Sequence, residues 1–185
     1  EYPADIVINC AGKVGSIIDN MQYPDEYFYD NAQIGINVLR ASHEVGIEKV
    51  LNIGTINSLP IFGNDETVSE DDLLSGSLTQ EIEPYGIAKA VVARYAKYIS
   101  FTHGMHYKTL HLSNLFGRYD NFGNKAHMIP AIIARLHQAK VSGLPSVGIW
   151  GDGTAKRSFI FANDVANFIG SVLSDFEAFP QDYLL

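Results

Sequence analysis

Two kinds of segment alternate along this chain. Short β-branched runs at 5–10 (DIVINC), 49–53 and 107–112 read as buried strands, the first stopping at Ala11 and Gly12. Longer stretches between them carry apolar residues at helical spacing. One is predicted over 25–45, with Ile34, Val38 and Ala41 on its buried face and Gly46 as a left-handed cap. A second starts at Pro84, buries Ile87, Val91, Val92, Tyr95 and Ile99, and ends near Gly104. A third helix is expected over 128–141, then strands at 147–150 and 158–161, and a last helix over 164–173 capped by Asn163. The segments 57–83 and 114–126 lack a steady period and read as loops, the first long enough to be functional. Strands alternating with helices of this length predict an α/β fold, a Rossmann-like doubly wound parallel sheet with helices on both faces.

Composition narrows the class. The chain has 185 residues, suited to one domain, with 46% hydrophobic and 18% charged residues, too apolar for disorder. Thirteen basic against 21 acidic residues leave a net charge of -8, which argues against nucleic acid and anionic membranes as partners. Cys10 is the only cysteine, so there is no internal disulfide and no cysteine-based metal site, and a reducing, cytoplasmic setting is expected. No nucleophile elbow and no acidic metal cluster stands out.

Ligands of an open parallel sheet sit at the carboxyl ends of its strands. The polar residues just past those ends are Gly12 and Lys13, Thr55 and Asn57, Ser113 and Asn114, and the 151–157 segment. Tyr85 and Lys89, four apart on a helix, project from one face. An ammonium beside a phenol is expected to lower its pKa and make it a better proton donor and acceptor near neutrality. With Thr55 on the same substrate oxygen, the trio suits hydride transfer to or from a carbonyl. His127 opens a helix, where the dipole favours the neutral base. Arg135 and Arg157 carry guanidinium forks that suit a diphosphate, although each alone reads first as a surface ion-pair residue. Gly151 to Thr154 reads as a turn rather than a phosphate cradle. Trp150, the sole tryptophan, suits either the core or a flat ligand.

The stretches AGKVG (11–15), GTINSLP (54–60), PYGIAK (84–89), SNLFGRYDNF (113–122), HMIP (127–130) and WGDGTAKR (150–157) occur here in one order. In these the chain resembles the extended short-chain dehydrogenase/reductases of the NAD-dependent epimerase/dehydratase type. Within that family it is most similar to the epimerase-reductases of GDP-linked 4-keto-6-deoxy sugars. The resemblance implies a nucleotide-sugar enzyme that moves a hydride between NADP(H), with NAD as the alternative, and a 4-keto sugar carbon. It implies Thr55, Tyr85, Lys89 and His127 as catalytic residues. Ala11, Gly12, Lys13, Ser113 and Leu115, together with Tyr85 and Lys89, are implied at the cofactor, and Asn57, Asn114, Arg135, Trp150 and Arg157 at the nucleotide-diphosphate sugar. A homodimer paired through the two long helices is implied as well.

The chain departs from the family in two ways. It holds no GxGxxG fingerprint and begins at what would be the fourth strand, so 1–185 is expected to be part of an NAD(P)-binding Rossmann domain. That part lacks the first strand-helix units and most of the C-terminal substrate domain, with 113–157 also contributing to the nucleotide-sugar site. The family's second epimerisation residue is a cysteine, and that position is Asn57, whose amide exchanges no proton near neutral pH. A sugar 4-epimerase, a non-epimerising 4-ketoreductase and a non-catalytic nucleotide-binding module therefore stand as alternatives.

Overall fold

In a computed structural model, residues 4–61, 68–123, 126–149, 151–154 and 156–185 are described. The elements run β1 (Ile6–Asn9), α1 (Ile17–Gln22), α2 (Pro24–Glu44), β2 (Lys49–Thr55), α3 (Glu83–His103), β3 (His106–Leu112), β4 (Asn114–Phe116), α4 (Met128–Val141), β5 (Phe159–Phe161), α5 (Ala162–Val172) and β6 (Asp182–Leu184). Four strands form one parallel sheet in the order β1-β2-β3-β6, and β4 pairs with β5, also in parallel. The Rossmann-like α/β expectation holds.

Alternation along the strands sends side chains to two cores. Val50 and Tyr107 pack with Leu39 of α2 and with Val92, Ala96 and Ile99 of α3. Leu51, Leu110 and Leu112 point the other way and pack with Val165 of α5 and Phe176. Helices therefore cover both faces. Burying side chains of this size contributes about 1.5–3 kcal/mol each.

Periodicity located α2, α3 and α4 to within a residue or two. The left-handed Gly46 (φ 79°) closes α2, with Gly46 N–H donating to the His43 carbonyl and Ile47 N–H to that of Ser42, a Schellman cap.

Six expectations are corrected. On α3 Val91 is exposed and Ile87 and Tyr95 are half-buried, because Val92, Ala96 and Ile99 are the residues turned toward Leu39, Val50 and Tyr107. The buried face of α2 is Tyr27, Asn31, Gly35, Leu39 and Ser42, not the row through Ile34, Val38 and Ala41, because β1 and α3 approach from that side and bond or press on those residues. A helix, α1, occupies the stretch before it, begun by a capping box in which Ser16 and Asp19 satisfy each other's backbone N–H groups. The 114–126 loop contains β4, a strand only by virtue of β5 beside it. No strand forms over 147–149, which find no partner, and Trp150 lies outside the described residues. Helix α5 starts at Ala162, with Phe161 at its N-cap and no side-chain cap bond, so Asn163 is inside the helix rather than capping it.

A sixth strand, β6, ends the chain against β3. Lys108 on β3 pins the segment leading to it by donating to the carbonyls of Glu177 and Phe179.

Candidate active site

Because the strands are parallel, the carboxyl ends of β1, β2 and β3 lie along one edge, and the turns that leave them carry the sequence-predicted residues. The turn after β1 is held from α2. Asn31, 2% exposed, accepts from Lys13 N–H (2.9 Å) and donates to the Lys13 carbonyl (3.0 Å) and to that of Tyr27 (2.7 Å). The Lys13 ammonium is bonded to Glu26 (2.5 Å) and Asp30 (2.8 Å), which raise its pKa further. Both polar ends of Lys13 are thus committed to α2, and Ala11 and Gly12 are the part of this turn open to a ligand. Reasoning from pattern missed Asn31; its signal was a polar residue four before Gly35 and eight before Leu39, on one helix face.

The second turn, Ile56–Ser58, docks on the start of α3. Ser58 Oγ donates to the Gly86 carbonyl (2.9 Å), and a Cβ at Gly86 would meet the Asn57 carbonyl oxygen at 2.2 Å. Only a glycine at 86 permits this approach. It brings Thr55, the last residue of β2 rather than one past it, beside Tyr85 in the first turn of α3. The Thr55 hydroxyl hydrogen-bonds the phenol oxygen and also accepts from Asn57 N–H (3.2 Å).

Lys89, one turn further along α3, is 7% exposed, and among the described residues no group hydrogen-bonds its ammonium. Burial lowers its pKa from the usual 10.5 to about 8, with Cys10, the residue after β1, favouring the charge. The phenol departs from expectation. Burial pushes the Tyr85 pKa up, and the Thr55 hydrogen bond pulls only part of the way back. Lys89 is not among the groups that shift it, and desolvation is the larger effect at the phenol. At neutral pH this site holds a protonated phenol, a hydroxyl bonded to it, and a largely buried ammonium. Such a set can give a proton to a carbonyl oxygen as that carbon is reduced.

The remaining candidates are less tightly held. His127 is the exposed N-cap of α4, and its ring makes no hydrogen bond among the described residues. It lines a cavity of about 370 Å³ with Val14, Gly15, Asp19, Tyr27, Asp120 and Asn121. Ser113 N–H donates to the Leu185 carbonyl (3.0 Å), Asn114 Nδ2 donates to that of Ser158 (2.9 Å), and Leu115 is 42% exposed on β4. Arg135 and Arg157 are exposed, donating to the carbonyls of Gly148 (3.5 Å) and Lys156 (2.8 Å). The structure thus assembles Thr55, Tyr85, Lys89 and Asn57 into one unit, leaving the two arginines outside it. Thr154 N–H and hydroxyl both bond Asp152 Oδ1, so the 151–154 stretch is a turn, as expected.

Comparisons with known proteins identify the family. The model of a family described as NAD dependent epimerase/dehydratase matches residues 1–185. A GDP-L-colitose synthase of Yersinia pseudotuberculosis is 38% identical over 183 residues, 98% of this chain and 59% of the relative. A GDP-L-fucose synthase of Escherichia coli K12 is 34% identical over 163 residues, 88% of this chain and 50% of the relative. Among solved structures, a GDP-L-fucose synthetase from Naegleria fowleri bound to NADP superposes with a TM-score of 0.83 at 22% identity, over 98% of this chain and 59% of that one. The chain therefore spans between about half and three fifths of the length of these relatives.

Proposed function

We propose that this chain, which belongs to the NAD dependent epimerase/dehydratase family, is the catalytic portion of a nucleotide-sugar oxidoreductase that reduces a GDP-linked 4-keto sugar. One observation carries the reading: Thr55, Tyr85 and Lys89 converge at the carboxyl edge of the sheet, the first two hydrogen-bonded and the third a largely buried ammonium with no hydrogen bond among the described residues. A buried ammonium in that condition fits ribose hydroxyls, so Lys89 would hold a nicotinamide nucleotide, with Ala11, Gly12, Ser113 and Leu115 lining it. The relatives named for GDP sugars support GDP as the nucleotide, and NADP is the cofactor carried over from that likeness. When bound, the cofactor supplies the hydride. Tyr85 donates the proton to the sugar oxygen, Thr55 orients that oxygen, and Lys89 fixes the ribose. Arg135 and Arg157 pair with the diphosphate, and Asn114 and Trp150 contact the nucleotide sugar.

His127, facing its cavity at the head of α4, is the base for a proton beside the carbonyl. Asn57 bears on the outcome. Its backbone N–H is tied to Thr55 and its side chain is an amide, so the site has one epimerisation group instead of two, and this favours reduction without full inversion at the third and fifth carbons. The enzyme acts in the cytoplasm; among the described residues no helix is long and apolar enough to cross a membrane. A homodimer pairs through α2 and α3, supported by a groove of about 480 Å³ on their outer side lined by Ile36, Val91, Tyr95 and Tyr98 among others.

Incubating the complete protein with NADPH and a GDP-4-keto-6-deoxy sugar, and following product by NMR, tests the reading. NADPH oxidation with a 4-hydroxy product is expected. Binding of the nucleotide sugar without oxidation would instead identify a nucleotide-binding module.

A further inference from the structure

The sheet face beneath α2 and α3 changes character along its strands. At the amino ends Val7, Val50 and Tyr107 pack against both helices. Toward the carboxyl ends the same face carries a polar row, Asn9, Asn52, Thr109, His111 and Asp182. Its bonds begin at the cofactor turn. Ala11 N–H donates to Asn9 Oδ1 (3.3 Å), and Asn9 Nδ2 donates to Asn52 Oδ1 (3.1 Å). At the far side His111 Nε2 lies 3.1 Å from Asp182 Oδ1 on β6.

Between Asn52 and His111 the row is open. Asn52 Nδ2, Thr109 Oγ1 and His111 Nδ1 are buried with no hydrogen-bond partner among the described residues. The three are neighbours: Asn52 pairs in register with Thr109, and Gly54 with His111. A Cβ at Gly54 would stand 2.7 Å from His111 Nδ1 and 2.9 Å from Thr109 Cγ2, so both side chains lie directly over the glycine and any side chain at 54 would displace them. Their chemistry is complementary. The Asn52 amide nitrogen can only donate, and the Thr109 hydroxyl can do either. In the tautomer whose Nε2–H donates a hydrogen bond to the Asp182 carboxylate, His111 presents a lone pair at Nδ1.

We propose that this seam binds one buried water, which accepts from Asn52 Nδ2 and from the Thr109 hydroxyl and donates to His111 Nδ1. Three partners are what an internal water commonly has. Bound there, the water completes a hydrogen-bond chain across all four strands, from Ala11 beside the cofactor turn to Asp182 at the opposite edge. It ties β6 to the turn after β1 through the middle of the sheet.

Water-oxygen relaxation dispersion on the complete protein is expected to show an internal water that outlives bulk exchange, and a high-resolution crystal structure to place it within hydrogen-bond reach of all three atoms. A dry seam would overturn the proposal, whatever the variants do. Thr109→Val, equal in shape, gives an opposite-sign check. With a water present it loses a bond and the Tm falls by about 2–4 °C. In a dry seam it removes an unsatisfied hydroxyl, so an unchanged or raised Tm counts against the water.

Discussion

The carboxyl edge of β1–β3 and the segment from 113 to 157 were both expected to hold ligand, and they are built differently. At the edge the turns and the phenol are held by buried groups: Asn31 clamps the Ala11–Lys13 turn, Ser58 and Gly86 lock the second turn on α3, and Thr55 bonds Tyr85. In the later segment Asn114, Arg135 and Arg157 are exposed and bonded mainly to nearby carbonyls. Chemistry needs groups fixed to within fractions of an ångström, and a sheet edge provides that. Charge recognition of a diphosphate can be made by exposed arginines, whose planar forks match its oxygens. In the proposed function this difference separates catalysis from affinity.

Substitutions test that separation, beginning with the largest effect. Tyr85→Phe removes the proton donor and leaves the ring, so turnover with NADPH and the keto sugar should fall about 10²–10⁴-fold while the Tm stays close to that of the parent. Unchanged turnover would remove Tyr85 from the chemistry.

Lys89→Met should divide activity from stability. Between about pH 8 and pH 10.5 the unfolded chain keeps a proton on Lys89 that the folded, ligand-free chain has lost, so through this residue stability rises with pH across that window. Below it, the buried charge costs at most about 3 kcal/mol. The methionine variant should therefore be more stable at pH 7, by about 1–3 kcal/mol in denaturant melts, with the gain gone by about pH 10.5. Its cofactor affinity and turnover should drop. A variant less stable at pH 7 would show that the ammonium already has a good partner in the folded chain.

The smallest effect on the fold belongs to the arginines. Arg135→Ala and Arg157→Ala should leave the Tm within about 1 °C, because both side chains are exposed, and raise KM for the nucleotide sugar about tenfold each with kcat little changed. A large loss of kcat would place them with the edge residues instead.

The same contrast explains what was readable from sequence. Strands β1, β2 and β3 and helices α2, α3 and α4 carry enough residues for a period to show, and the Tyr85–Lys89 spacing on α3 follows from helix geometry alone. The capping signature Ser16-x-x-Asp19 was also present in the letters, and it went unread because α1 has only six residues and no apolar repeat of its own. Strands β4, β5 and β6 have three residues each, and nothing in Asn114–Phe116 marks a strand until Phe159–Phe161 lies beside it. The run at 147–149 shows the reverse: β-like residues that find no neighbour stay irregular.

Local pattern was thus sufficient for the fold class, the long elements, and the phenol and ammonium on one helix, since each follows from spacing within a single segment. Packing alone decided which face of α2 is buried, that Lys13 is spent on α2, and that desolvation rather than a neighbouring cation governs Tyr85. Those outcomes depend on how much water and which distant groups surround an atom, and neither quantity is written in any stretch of chain short enough to read as a pattern.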